Sequence, residues 1–265
     1  MKTPILMLGA GHMGGAMIEG WLRAGAIRQT DLILRDPVPG STALAAQTAG
    51  AMLNPPTGDL SRSHTVVLAV KPQLWREVAA EVSTALAPDA IIVSIAAGVS
   101  SADIAQAFGG RAVARVMPTT AVAIGQGTAS VFAETPMARA EARALFEPLG
   151  VVVDLVDEAL MHAATAVSGS APAYLYAFIE ALEAAGAAAG LSKGQAEKLA
   201  RSTLTGAAAL LASTGEDPAE LRRQVTSPGG TTQAALDVLL AEHGLPSLLR
   251  EAIGAAMRRS KELGG

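Results

Sequence analysis

The chain has 265 residues, half of them hydrophobic but only 3% aromatic, so its core is expected to consist mainly of Ala, Val, Leu and Ile, in one large domain or two smaller ones. A formal charge of −4 without any dense Lys/Arg run excludes the basic stripe of a nucleic-acid binder and favours a small-molecule partner. With no cysteine and four scattered histidines (His12, His64, His162 and His243), the sequence offers no disulfide, no thiolate nucleophile and no metal site.

Lys2 and the run PILMLGA imitate the start of a signal peptide, but the apolar run is too short and its glycines suit a turn. A cytoplasmic protein without membrane attachment is expected. PILML is read instead as a first strand, followed by LGAGHMGGA, in which Gly9, Gly11 and Gly14 form G-x-G-x-x-G. The three glycines serve different ends, since the first makes the tight turn, the second admits a pyrophosphate to the backbone, and the third lets helix and strand pack closely. The diphosphate then faces a helix N-terminus. Gly9, Ala10, Gly11, His12, Met13 and Gly14 are therefore the first candidate dinucleotide-binding residues.

The second strand ends in LILRDP, which places Arg35 and Asp36 where coenzyme choice is made. An acid there binds a ribose 2′-hydroxyl, while an arginine can hold a 2′-phosphate bidentately. Both are present. The reading leans toward NADPH, with NADH as the alternative and a solvated surface pair as the neutral option.

Further apolar runs, TVVLAV (65–70), AIIVSI (90–95), AVARVM (112–117), TASVF (128–132) and GVVVDL (150–155), alternate with helix-like segments such as 14–25 and 73–86. Strand alternating with helix predicts an α/β, doubly wound parallel sheet. Ligands of such sheets lie beyond the carboxyl ends of the strands. Ala69, Val70, Lys71 and Pro72 of AVKPQ, and Ala96, Ala97 and Gly98 of SIAAGVS, stand at two such ends, the second leaving room for a flat nicotinamide. Lys71 is a candidate for both coenzyme contact and catalysis.

From about residue 157 the strand pattern stops and the chain becomes Ala-rich. The 21 residues between Glu158 and Glu180 carry no formal charge, but His162, the glycine and serines at 168–170 and Pro172 interrupt them, so two buried helical pieces joined at a turn are expected. Ala196, Leu199, Ala200, Thr203, Leu204, Ala207, Ala208 and Leu211 repeat at i, i+3, i+4 and mark one helix stripe, either a bundle core or a subunit interface. Residues 1–157 and 158–265 are thus expected to form two domains.

The stretch VTSPGGTTQAA (225–235) has no titrating side chain, yet Gly229 and Gly230 bare the backbone before a helix that starts at Thr231 and Thr232. Free N–H groups there form a seat for a carboxylate or phosphate. The plain alternative is a helix capped by Ser227 or a threonine. Two glycines with flanking hydroxyls exceed what a cap needs.

In their order and spacing, GAGHMG, AVKPQ, SIAAGV, RVMP, SGSAPAY and SPGGTT resemble the pyrroline-5-carboxylate reductase family, from about residue 4 to the final helices. The resemblance implies an N-terminal Rossmann domain (1–157) for NAD(P)H and an all-α dimerisation and substrate domain (158–265). It implies a homodimer with interleaved helices whose sites use both subunits, and often a decamer of five dimers. The implied reaction is reduction of the cyclic imine 1-pyrroline-5-carboxylate to L-proline. Ser227, Gly229, Gly230, Thr231 and Thr232 would hold the substrate carboxylate, and Thr232 would hydrogen-bond the ring nitrogen. Glu158 and Gln224 match positions that contact substrate or coenzyme.

Thr119, Ala121, Ala171 and Thr65 depart from the residues usual in the family and leave details of the pocket edge open. Two other readings compete. A β-hydroxyacid dehydrogenase-like reductase would need a helix-borne lysine, and Lys193 and Lys198 lie outside any matching motif. A non-catalytic nucleotide sensor would need only the first half.

Overall fold

The computed structural model describes residues 1–263. The chain separates into two compact units, Met1–Gly169 with the chain from Ala256 onward, and Ser170–Ala255.

The first unit is built on one eight-stranded sheet. In chain order its elements are β1 (Ile5–Leu8), α1 (His12–Arg23), β2 (Leu32–Arg35), α2 (Ser41–Thr48), β3 (Met52–Leu53), β4 (Thr65–Leu68), α3 (Trp75–Val82), β5 (Ile91–Ser94), α4 (Ser101–Ala107), β6 (Val113–Pro118), β7 (Gly127–Ala133), α5 (Pro136–Phe146), β8 (Gly150–Asp154) and the short α6 (Met161–Ala164). The strand order is β3-β2-β1-β4-β5-β6-β7-β8. β1, β4 and β5 are buried along their whole length, as expected of strands covered on both faces. Successive side chains leave opposite faces: Ile5 and Met7 join one apolar cluster with Met17, Trp21 and Phe146, while Leu6 and Leu8 join another with Trp75, Ile104 and Phe108. Helices on both faces make the sheet doubly wound.

One pairing departs from the all-parallel expectation. β6 and β7 run antiparallel, Val116 opposite Val131, while β7 and β8 return to parallel pairing. The cause is connection length. Only residues 119–126 separate β6 from β7, and a parallel crossover needs about a dozen or more. A turn closed by Gly125 in the left-handed region reverses the chain there. β7 and β8 are separated by α5, whose Thr135 cap and Pro136 start it cleanly.

The segment after β8 also differs from expectation. Instead of two helices meeting at a turn, α6 runs into a π-helical stretch, Thr165–Gly169. There Thr165 Oγ1 and Ser168 Oγ donate to the carbonyls of Met161 and Ala164. Hydroxyls that bond back into the preceding turn compete with the regular ladder.

The second unit contains α7 (Ala171–Ala188), α8 (Lys193–Thr214), α9 (Pro218–Gln224), α10 (Thr231–Leu239) and the first part of α11 (Leu245–Glu262). α7 and α8 form a hairpin, closed by a capping box of Ser192 with Gln195. Gly186 lies against Ala196 so closely that a Cβ on it would stand 3.3 Å from the alanine methyl. Among the described residues of this unit only Ala196 and Ala200 are buried apolar groups. The expectation that the piece containing α7 is buried therefore fails for the single chain: α7 has no buried residue. Along the stripe read on α8, Leu199 and Leu211 are exposed. Among the described residues no helix is long and apolar enough to cross a membrane.

Candidate active site

β1 and β4 lie side by side within the sheet, and the chain turns to opposite sides after them, so a crevice opens at their carboxyl ends. Gly9 follows β1 with φ +92°, and a Cβ there would stand 2.9 Å from the Ala69 carbonyl oxygen. Gly14 is still more constrained: a Cβ would lie 2.3 Å from the Gly9 carbonyl oxygen. Gly11 differs from both. It is exposed, a Cβ on it would meet nothing within 4 Å, and it caps α1 without any side-chain hydrogen bond. The first turn of α1 thus presents amide donors with no side chain in front of them, the arrangement that accepts a phosphate. His12 is exposed and Met13 half-buried at the same turn, and Ala10 is buried below it.

The end of β2 is tied to this loop. Ala10 N donates to Asp36 Oδ2 at 2.7 Å, and Val38 N to Asp36 Oδ1 at 2.9 Å. Asn54, with φ 49°, clasps the Asp36 backbone from both sides: its Oδ1 accepts from Asp36 N at 2.9 Å and its Nδ2 donates to Asp36 O at 2.8 Å. Arg35 donates to the Pro55 carbonyl at 2.9 Å and pairs with Glu81. A cleft of about 520 Å³ lies here, lined by Arg35, Asp36, Asn54, Val70, Glu77 and Glu81 among others.

At the two neighbouring strand ends, Ala69 and Val70 are half-buried, Lys71 is exposed and Pro72 half-buried. Ala96 is buried, and its N–H donates to Ser94 Oγ at 3.2 Å. Ala97 and Gly98 are half-buried, and Gly98 takes φ +80°.

Glu158 is held entirely by the first unit's own groups. Its Oε1 accepts from Arg115 Nη1 at 2.8 Å and from Ser101 N at 2.6 Å, and its Oε2 from Ser101 Oγ at 2.8 Å. Burial alone pushes this carboxyl up, but the bonds from Arg115 and Ser101 outweigh it and hold the pKa below the ordinary value. His162, whose Nδ1 lies 2.9 Å from Ser260 Oγ, is pushed down by burial first and then by Arg115 and Lys261, with Glu158 opposing. Arg115 is not among the residues that the sequence motifs single out. A lone arginine inside the apolar run AVARVM was the available signal, since a buried guanidinium requires an anion.

In the second unit, Ser227–Gly230 forms a tight turn closed by Gly230 N donating to Ser227 O at 3.0 Å, with Gly229 at φ +68°. Gly230, not a hydroxyl residue, is the N-cap of α10, and no side chain caps that helix. A Cβ on Gly230 would collide with Ser227 Oγ at 2.4 Å. Thr231 is exposed and Thr232 half-buried on the first turn. Gln224 donates from Nε2 to Glu216 Oε2 at 2.7 Å, an internal bond of this unit.

A doubly wound sheet with an uncapped, glycine-bounded helix start at its switch point defines a dinucleotide-binding domain. Two family models match: residues 4–98 match "NADP oxidoreductase coenzyme F420-dependent", and residues 158–263 match "Pyrroline-5-carboxylate reductase dimerisation". The chain is 38% identical to pyrroline-5-carboxylate reductase of Pseudomonas aeruginosa, covering 99% of this chain and 98% of the other. To that of Synechocystis it is 37% identical, covering 100% and 99%. The structure of a pyrroline-5-carboxylate reductase from Coxiella burnetii superposes with a TM-score of 0.91 at 29% identity, covering 100% of each chain. The chain belongs to the pyrroline-5-carboxylate reductase family, and its helical unit falls in the dimerisation part of that family.

Proposed function

We infer that the protein reduces 1-pyrroline-5-carboxylate to L-proline with NADPH, the last step of proline biosynthesis, with NADH as the alternative coenzyme. The observation that carries this reading is the full-length similarity to the pyrroline-5-carboxylate reductases at 38% identity. The test is oxidation of NADPH and NADH with pyrroline-5-carboxylate, run beside a panel of hydroxyacids and ketoacids. Turnover confined to the cyclic imine supports the reading, and turnover confined to the panel removes it.

The residues fit a dinucleotide on two counts. Gly9 and Gly14 stand where any side chain would strike backbone, and Gly11 leaves the helix start open. We propose that Gly9–Gly14, Ala69–Pro72 and Ala96–Gly98 hold the coenzyme, with Arg35 and Asp36 at its ribose end and Gln224 contributing as the resemblance implies. When bound, the reduced coenzyme supplies a hydride to the imine carbon.

For the substrate, we propose that the carboxylate sits on the amides of Thr231 and Thr232, beside Ser227, Gly229 and Gly230. Support comes from the missing cap: with Gly230 as N-cap and no side-chain acceptor, these donors are free for an external anion. Thr232 Oγ1 donates to the imine nitrogen, and a water behind it delivers the proton. A strong acid is unnecessary, because orienting two reactants contributes about 7 to 11 kcal/mol, against a factor of about 10² to 10⁴ for acid assistance. Lys71, exposed at its strand end, supports the coenzyme side of catalysis. Glu158 is assigned to the substrate side, where its bonds to Ser101 and Arg115 fit a role in positioning the N-terminus of α4.

The domain organisation proposed is a coenzyme domain at 1–157 and a substrate and dimerisation domain at 158–265. Exposed Leu175, Tyr176, Phe178, Leu199 and Leu248 on helices of the second unit support burial against a second copy. The finer proposal is a homodimer that assembles further into a decamer, in the cytoplasm.

A further inference from the structure

The coenzyme cleft at the end of β2 holds one cation against three carboxylates: Arg35 faces Asp36, Glu77 and Glu81. These four groups are not equally adjustable. Asp36 is fixed, since both its oxygens accept backbone amides and Asn54 grips its main chain. Glu77 has no such tether in the cleft. Arg35 is the group with a choice, its guanidinium shared between the Pro55 carbonyl and the Glu81 carboxylate. The pair is partly solvated, with Arg35 22% and Glu81 55% exposed.

We propose that Glu81 is a positioning residue that sets coenzyme selectivity: by holding Arg35 it competes with the 2′-phosphate of NADPH and narrows the preference over NADH. The inference rests on the coenzyme site proposed above and adds a determinant outside the glycine loop and the β2 end. The physical argument is one of exchange. A 2′-phosphate that binds Arg35 bidentately must displace Glu81 or bind beside it, and either way a like charge opposes it. NADH carries no group that needs Arg35, so Glu81 is neutral toward it. The competition has the size of an exposed ion pair, which makes Glu81 a regulator of degree, not a block.

Adenosine 2′,5′-bisphosphate and 5′-AMP isolate the phosphate in question, and calorimetric titration of the full-length protein reads binding without turnover. Glu81→Gln is expected to tighten the bisphosphate about two- to fivefold and leave 5′-AMP unchanged. Glu81→Asp, which keeps the charge, is expected to return the ratio of the two affinities toward that of the unsubstituted protein, and Arg35→Ala to weaken the bisphosphate alone. If Arg35→Ala weakens the bisphosphate but Glu81→Gln moves neither ligand, or both equally, the role of Glu81 is overturned and the coenzyme site stands. If neither substitution changes the bisphosphate relative to 5′-AMP, the 2′-phosphate does not sit at Arg35 and the proposal falls with that placement.

Discussion

Arg115 and Glu158, 43 residues apart in sequence, meet at 2.8 Å with the arginine only 6% exposed. Their attraction must offset the desolvation of a buried guanidinium, and removing one partner leaves the other uncompensated. Arg115→Met should therefore destabilise the protein by about 2 to 4 kcal/mol, below the full cost of a buried pair because Glu158 retains some solvent and its Ser101 bonds. Urea unfolding measures this. Glu158→Gln should cost at least as much, since it leaves the more deeply buried Arg115 guanidinium without an anion.

The same cluster predicts how stability depends on pH. Glu158 has a folded pKa below its ordinary 4.5, so its contribution is fully present above that value and is lost as pH falls through the lower folded pKa. His162 works at higher pH. Its folded pKa lies below the ordinary 6.5, so the unfolded chain binds more protons and stability declines as pH drops below 6.5. Melting temperatures between pH 7.5 and 5.5 should fall less for His162→Gln than for the unsubstituted protein, and an identical slope would show that His162 does not set it.

Much of this arrangement is legible in the sequence, and the misses have physical causes. The strand runs, the glycine fingerprint and SPGGTT are local patterns, written in consecutive residues. The direction of β7 is not a property of its side chains: TASVF is equally apolar whether it runs parallel or antiparallel to AVARVM, and only the short connection at 119–126 decides it. The expected burial of α7 fails because apolarity in a helix reports that a surface will be covered, not by which chain. Asn54 carries no sequence signal because it holds Asp36 across 18 residues, which leaves no periodic pattern.

Gly14 offers a sharp test of the coenzyme loop. A Cβ there would lie 2.3 Å from the Gly9 carbonyl oxygen, a backbone atom that has little room to yield. Gly14→Ala should therefore weaken NADPH binding more than tenfold and lower the melting temperature, as followed by coenzyme fluorescence and by calorimetry. Gly11→Ala is the contrast, because its Cβ would meet no protein atom within 4 Å. It should leave the melting temperature nearly unchanged while impairing coenzyme approach.

The helical unit buries too little of its own apolar surface to be independent of assembly. Leu199 on α8 is 54% exposed, one helical turn from Ala196 and beside Ala200, the unit's two buried apolar residues. A charge at this position costs little in a monomer and much inside an apolar contact. Leu199→Glu should shift sedimentation toward smaller species and make the melting temperature strongly dependent on protein concentration. Unchanged sedimentation would place Leu199 outside the contact.

The start of α10 is where substrate binding can be tested most directly. Gly230 caps this helix without a side chain, and Thr232 is the half-buried hydroxyl of its first turn. If Thr232 donates to the imine nitrogen, Thr232→Ala should lower kcat by about 10- to 1000-fold while the NADPH dissociation constant stays within about twofold, the size of loss expected for one donor or acid-assisting group. Thr232→Ser keeps the hydroxyl and should recover most of the rate. Gly230→Val should act differently, because a branched side chain would displace Ser227 and cover the amides: the substrate KM should rise beyond saturation with NADPH binding retained. A Thr232→Ala enzyme turning over at the unsubstituted rate would show that the nitrogen is met by another group, and a Gly230→Val enzyme with normal KM that the carboxylate sits elsewhere.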